Sequence, residues 1–302
     1  MDGILIIDKP AGITSHDVVA RVRRVLKTKR VGHTGTLDPF ATGVMVILVG
    51  RATRLAQFLD KDSKEYQALI HLGYETDTGD LTGVRTVESG LRIEELHSRL
   101  VETNWDEIFG GFLGEIEQTP PMYSAKKVDG KKLYELARRG IEVERTPIKV
   151  TIDKLEIIEE PDPDRRPCTL RVKVACSAGT YVRTLAEDIG RKAGTGAHLA
   201  ALRRTRAGKF SISTSVPLDV LQDLEDPSSV MLPMTDAVEH LPSITLSADR
   251  VAKTKGGLST RIPDQKFHVG EPIRMQDEIG ELIAIGFYDE AENSVQPKIV
   301  LV

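Results

Sequence analysis

Residues 31–43 read VGHTGTLDPFATG and run directly into VMVILVG, residues 44–50. The first string reads as a loop. Gly32, Gly35 and Gly43 permit backbone angles closed to other residues, Pro39 fixes its own φ, and Pro39 also biases Asp38 away from helix. Asp38 is therefore presented by a shaped turn. The second string is an uninterrupted apolar run of strand length, which predicts a buried strand anchoring the loop from behind. A loop held by a rigid strand is where reacting groups tend to sit. Taken alone, an Asp-Pro pair is usually a turn starter and nothing more.

The 302 residues suffice for a main domain with an ample core and a smaller second one. No apolar run approaches the length that spans a bilayer, and MDGILIIDKP has no charged region before its short apolar stretch, so a cytoplasmic protein is expected. Cys168 and Cys176 lie along what reads as one extended strand, too far apart for a disulfide, and are expected as buried free thiols. A net charge of −4 argues, on average, against a nucleic-acid binder. The patterning argues otherwise. Residues 21–30 carry six basic and no acidic side chains, as do residues 189–210, whereas residues 153–164 carry six acids against one lysine. Such segregation predicts a basic face for phosphates and an acidic back.

Along the chain, GILIID (residues 3–8) predicts a first strand, and Ser15 a helix N-cap. Val18, Val19, Val22, Val25 and Leu26 share one face of that helix, with Arg21, Arg24 and Lys27 on others. RATRLAQFL reads as a short helix, and KEYQALIHLG as a strand with Tyr66, Ala68, Ile70 and Leu72 inward. TDTGD, residues 76–80, lacks calcium-loop spacing and reads as a polar turn. Two helices over about 92–102 and 104–113 follow, the second opened by Asn104 with Glu107, and Trp105 reads as a core anchor. From Gln118, QTPPMYSAKKVDGKKLYELARRG predicts a strand, an Asp-Gly turn and a short basic helix projecting as an arm that ends at Gly140. IKVTIDKLEII and TLRVKVACS are strands, and SAGTYVRTLAEDIG leads into a helix whose apolar face is Val182, Leu185, Ala186 and Ile189. From about Ile244, short strands broken at Gly256-Gly257, Val269-Gly270 and Ile279-Gly280 predict a small β-barrel-like module. The class is α+β.

The phrase GHTGTLDPFATG closely resembles the signature loop of the TruB family of pseudouridine synthases. DKPAGITS, the stretch from KEY to LG, GTYVRTLAEDIG and LRRTRAGKF match further phrases of that family in its own order, to about residue 210. The resemblance implies a pseudouridine synthase fold: a mixed, largely antiparallel central sheet flanked by helices, over residues 1–240, with an RNA-gripping thumb-like insertion at 118–147. Residues 244–302 would be a PUA-type RNA-binding module. It implies isomerisation of uridine to pseudouridine at position 55 in the T-loop of tRNA, without a guide RNA. Asp38 is then the nucleophile, Arg183 its ion-pair partner and Tyr66 the aromatic that stacks on the base; Tyr181 lines the same pocket and Leu202 packs against it. Lys9 and Pro10 support the loop, and His33 faces the RNA. Lys126, Lys127, Lys131, Lys132, Arg138 and Arg139 in the thumb, with Arg203 and Arg204 beyond it, suit contacts to RNA.

This reaction breaks the bond from ribose C1′ to uracil N1, turns the base, and joins C1′ to C5. Neither redox change nor phosphate transfer is involved, so a carboxylate can serve without metal or organic cofactor, and none is expected. Seven scattered histidines and two cysteines show no metal-ligand spacing. The expected partner is the T stem-loop of tRNA, met by a monomer, with no membrane. Burial alone would raise the pKa of Asp38, and a guanidinium beside it favours the charged form. Flipping the uridine out of its stack costs roughly a few kcal/mol, of which stacking on Tyr66 offsets about 1–3 kcal/mol. A different class, a tRNA-binding or tRNA-folding protein without essential catalysis, would keep the fold. A nucleotide-phosphate enzyme using the glycine-rich loop is disfavoured, because no lysine sits in it.

Overall fold

In the computed structural model, which describes residues 1–88, 90–124, 126–128, 130–137, 139–161, 168–262 and 267–302, the apolar run behind Asp38 is the strand Thr42–Val49. It lies inside a ten-stranded sheet. In spatial order the sheet runs Val216–Pro217, Gly3–Lys9, Thr42–Val49, Ala197–Ala207, Lys64–Leu72, Thr169–Cys176, Ile148–Glu159 and Gly114–Gln118. Two short strands, Val31–Thr34 and Phe210–Ser211, pair off this path. Only the pairings of Gly3–Lys9 with Val216–Pro217 and of Thr42–Val49 with Ala197–Ala207 are parallel. The sheet is mixed and largely antiparallel, as expected.

The continuous apolar reading of Thr42–Val49 has a physical cause: the strand is covered on both faces. Met45, Ile47 and Val49 pack with Leu5, Ile7 and the helices Ser15–Val25 and Val182–Lys192. Val44, Val46 and Leu48 point the other way and pack with Ile4, Ile6 and the 3-10 helix Gly50–Phe58. Period-two alternation thus divides one strand between two cores.

The C-terminal module is a five-stranded sheet ordered Ser243–Thr245, Pro272–Gln276, Leu282–Asp289, Ser294–Val300 and Thr260–Arg261, with the helix Ala248–Lys255. Ile244, Leu246, Ile273, Met275 and Val295 give it a core of its own. Leu282, Ile285, Ile299 and Leu301 belong instead to the cluster under the main sheet. Over 118–147, the described elements are the strands Lys127–Val128 and Lys131–Lys132 and the helix Leu133–Ala137, which is followed by Gly140 at φ 69.

One local expectation changes. The first helix is capped by Thr14, not Ser15: Thr14 and Asp17 form a reciprocal capping box. That leaves Ser15 free to face inward, where its Oγ donates to Leu37 O at 3.0 Å and accepts from the Leu37 amide at 2.9 Å. Cys168 and Cys176 are both buried, as expected.

Candidate active site

The Asp38 loop is held at both ends by side chains that have left the solvent. Lys9 is fully buried, and its Nζ donates to Pro10 O at 2.8 Å, Pro39 O at 3.2 Å and Ala41 O at 2.7 Å. Pro10 itself is exposed and contributes that carbonyl. On the opposite side, Arg204 Nε donates to Val44 O at 2.7 Å and Nη2 to Gly35 O at 2.9 Å. Gly43 pairs with Arg204 at φ 104, and a Cβ there would stand 2.2 Å from Arg204 O, so the close approach needs glycine. With Ser15 on Leu37, these bonds fix the loop on either side of Asp38, whose side chain keeps 34% of its surface open.

Arg183 sits in the first turn of Val182–Lys192 and is turned inward, with 7% of its side chain exposed. Its Nε stands 3.1 Å from Asp38 Oδ2 and its Nη2 donates to Asp38 Oδ1 at 3.3 Å. This two-point pairing fixes orientation as well as charge. The remaining donors gather other segments: Nη1 to Thr78 O at 3.1 Å and to Asp80 Oδ2 at 3.5 Å, Nη2 to Tyr123 O at 2.7 Å. Asp80 is buried, and its Oδ1 accepts from Thr78 Oγ1 at 2.9 Å, the Thr82 amide at 2.9 Å and Thr82 Oγ1 at 2.6 Å. The sequence reading took TDTGD as a turn. It is one, but the turn also delivers a second carboxylate to Arg183.

Burial pushes the Asp38 carboxyl above its ordinary range; Arg183 and Lys9 pull it back down, and Asp80 pushes it further up. Burial likewise brings the Lys9 ammonium down to about 8, against the pull of Asp38. Burial raises the Tyr66 phenol against the pull of the Arg204 charge, and lowers His33, with His16 and Arg204 adding to the fall.

Asp38, Tyr66, Tyr181, Arg183 and Leu202 line one cavity of about 260 Å³, so five residues named from sequence converge. Tyr66 comes from Lys64–Leu72 and Leu202 from the neighbouring Ala197–Ala207, which brings an aromatic ring and an aliphatic wall beside the carboxylate. Lys64, on the same face as Tyr66, also lines the cavity; it is buried, and its Nζ donates to Asp62 O at 2.5 Å. Its place two residues before Tyr66 was the available signal.

Other named residues fall elsewhere. His33 stands half-buried in Val31–Thr34, edge-on to His16 at 5.9 Å between ring centroids. Arg203 lies at the surface, paired with Asp8 Oδ2 at 2.7 Å. Arg204, expected to contact RNA, is 1% exposed; it lines the same cavity, and its guanidinium braces the Asp38 loop from inside. Adjacent residues of a strand point to opposite faces, so Arg203 reaches solvent while Arg204 turns to the cavity side and satisfies its charge internally. In the thumb, Lys126 is half-buried and Arg139 exposed, while Lys127, Lys131 and Lys132 are placed by their strands and Arg138 lies outside the described residues.

The fold has solved counterparts. A crystal structure of a Cbf5-Nop10-Gar1 complex matches with a TM-score of 0.72 at 28% identity, over 99% of this chain and 85% of that one. A structure of an H/ACA RNP bound to a substrate RNA containing 2′-deoxyuridine gives 0.71 at 26%, with the same coverage. Among curated relatives, tRNA pseudouridine synthase B of Geobacillus thermodenitrificans is 44% identical over 87% of each chain. Those of Heliobacterium mobile and Bacillus subtilis are 41% and 40% identical, over 100% and 98% of this chain and 95% and 96% of theirs. Fold, pocket and relatives together define a class, the pseudouridine synthases. Residues 23–182 match the TruB family pseudouridylate synthase (N terminal domain) and residues 183–239 the tRNA pseudouridylate synthase B C-terminal domain, and the chain belongs to the TruB family.

Proposed function

We propose that Asp38 is the nucleophile with which this tRNA pseudouridine synthase isomerises uridine 55, flipped out of the T stem-loop. The observation that carries the assignment is the two-point pairing of Asp38 with a buried Arg183 at the wall of a cavity that Tyr66 and Leu202 complete. Arg183 keeps the carboxylate ionised against desolvation and aims it. The flipped uracil stacks on Tyr66 with Leu202 opposite. Asp38 Oδ then attacks the sugar as the C1′–N1 bond breaks, the electron pair leaving with N1. The freed uracil turns to present C5, C5 bonds to C1′ as the aspartate oxygen departs, and loss of the C5 proton with uptake of a proton at N1 restores the ring. Tyr181 shapes the pocket. His33, beside the loop, faces the flanking RNA.

The remaining assignments belong to the same proposal. Residues 1–240 form the catalytic domain, residues 118–147 a thumb that contacts phosphates through Lys126, Lys127, Lys131, Lys132, Arg138 and Arg139, and residues 244–302 a PUA-like RNA-binding domain. Arg203 contacts RNA from the surface. The protein works as a cytoplasmic monomer. Chemical mapping of pseudouridine in a treated tRNA transcript tests the site: modification is expected at position 55 alone, and modification at another position would refute the T-loop assignment.

A further inference from the structure

The residues that position Arg183 also position a hydroxyl for which the fold has no use. Gln118 Oε1 accepts from the Tyr181 amide at 2.9 Å and its Nε2 donates to Tyr181 O at 3.3 Å, while Tyr123 O accepts from Arg183 at 2.7 Å. The segment between is thereby tied to the start of the arginine's helix. Ser124 comes next. It is 5% exposed, it lines the cavity with Asp38 and Tyr66, and its Oγ is buried with no hydrogen-bond partner among the described residues. Neighbouring hydroxyls in that wall are engaged: Thr180 Oγ1 donates to Ser177 O at 3.0 Å, and Ser177 Oγ accepts from the Thr151 amide at 2.9 Å. A buried hydroxyl left unpaired weakens a fold, and its retention calls for a partner that arrives later.

We propose that Ser124 contacts the substrate, its hydroxyl hydrogen-bonding the polar edge of the flipped uracil. The inference rests on the reading of this cavity as the uridine site. A uridine lifted from its stack loses the partners of that edge, where O2 and O4 accept and N3–H donates. The turn that brings C5 to where N1 stood runs about the axis through C6 and N3, so O2 and O4 exchange places. A hydroxyl at the edge therefore meets a carbonyl before and after the turn. Serine serves both states because its oxygen donates and accepts, and because χ1 moves between staggered positions.

Ser124→Ala removes the oxygen and little else. At saturating enzyme, the single-turnover rate of tritium release from C5-labelled tRNA should fall about tenfold, while the thermal midpoint stays level or rises, since the unpaired hydroxyl is gone as well. In an Asp38→Asn background, the substitution should weaken binding of a T-arm hairpin with the target uridine and leave unchanged the binding of that hairpin with an abasic nucleotide there. An unchanged rate, a rate loss matched by a lower midpoint, or equal losses on both hairpins would overturn the proposal. Absence of release by the unsubstituted protein would count against the uridine site itself and is seen before any variant is made.

Discussion

On the proposed mechanism, Arg183 is the residue on which the chemistry and the local stability both depend. It neutralises two carboxylates, Asp38 and Asp80, in a place where only 7% of its own side chain meets solvent. Arg183→Met would leave both acids facing one another without the guanidinium between them. Removing one partner of a buried pair costs about 3–5 kcal/mol, so a lower thermal midpoint is expected along with loss of turnover, both checked on the purified variant. The pH profile carries a second prediction. On the proposed mechanism Asp38 must be ionised, so activity falls as pH drops through a value that burial has set above the ordinary carboxylate range. Lys9 pulls that value down, so Lys9→Met should move the acid limb to higher pH; a limb that stays put or moves lower would contradict the electrostatic account. Asp38 was presented by a turn that the glycines and proline announce, whereas Tyr66 and Arg183 were named through the phrases that resemble the family's, since from spacing alone they read as a strand aromatic and a solvated side chain. Asp80 was not legible, since an alternating Thr-Asp turn reads the same whether or not a distant arginine meets it.

At the scale of elements, the catalytic loop is shaped less by its own residues than by two long side chains that enter from neighbouring strands, Lys9 and Arg204. The glycines and proline announced a turn, and the apolar run announced its strand. What the sequence could not announce is which of two consecutive arginines turns inward, because that depends on the Asp38 loop and the strand Lys64–Leu72 that meet Arg204 in the folded sheet. Arg204→Lys keeps the charge and loses the fork that spans Gly35 and Val44. Turnover should fall with tRNA affinity unchanged, as measured by single-turnover rates beside filter binding; a loss of affinity alone would restore the RNA-contact reading. Gly43→Ala tests the close approach directly. With a Cβ 2.2 Å from Arg204 O, the variant should lose soluble, folded protein, and circular dichroism showing a native fold and melt would refute the packing argument.

Across the whole molecule, the C-terminal module was legible as a set of short strands, but its fusion to the main sheet was not, because a shared core leaves no periodic mark in either part. Leu282, Ile285, Ile299 and Leu301 pack with Ile4, Ile6, Val44 and Val46, and Arg54 Nη1 donates to Val300 O at 2.5 Å. Urea unfolding of the full chain should therefore proceed as one transition by fluorescence and circular dichroism. Two separated transitions would show the module to be an independent bead. The account as a whole stands or falls on Asp38, and the most direct measurement is tritium release from a tRNA transcript labelled at uracil C5, comparing the native chain with Asp38→Asn. Rejoining at C5 must expel that hydrogen, so the account predicts release by the native chain and none by the variant, with tRNA binding retained in both. Release by Asp38→Asn at the native rate would contradict it.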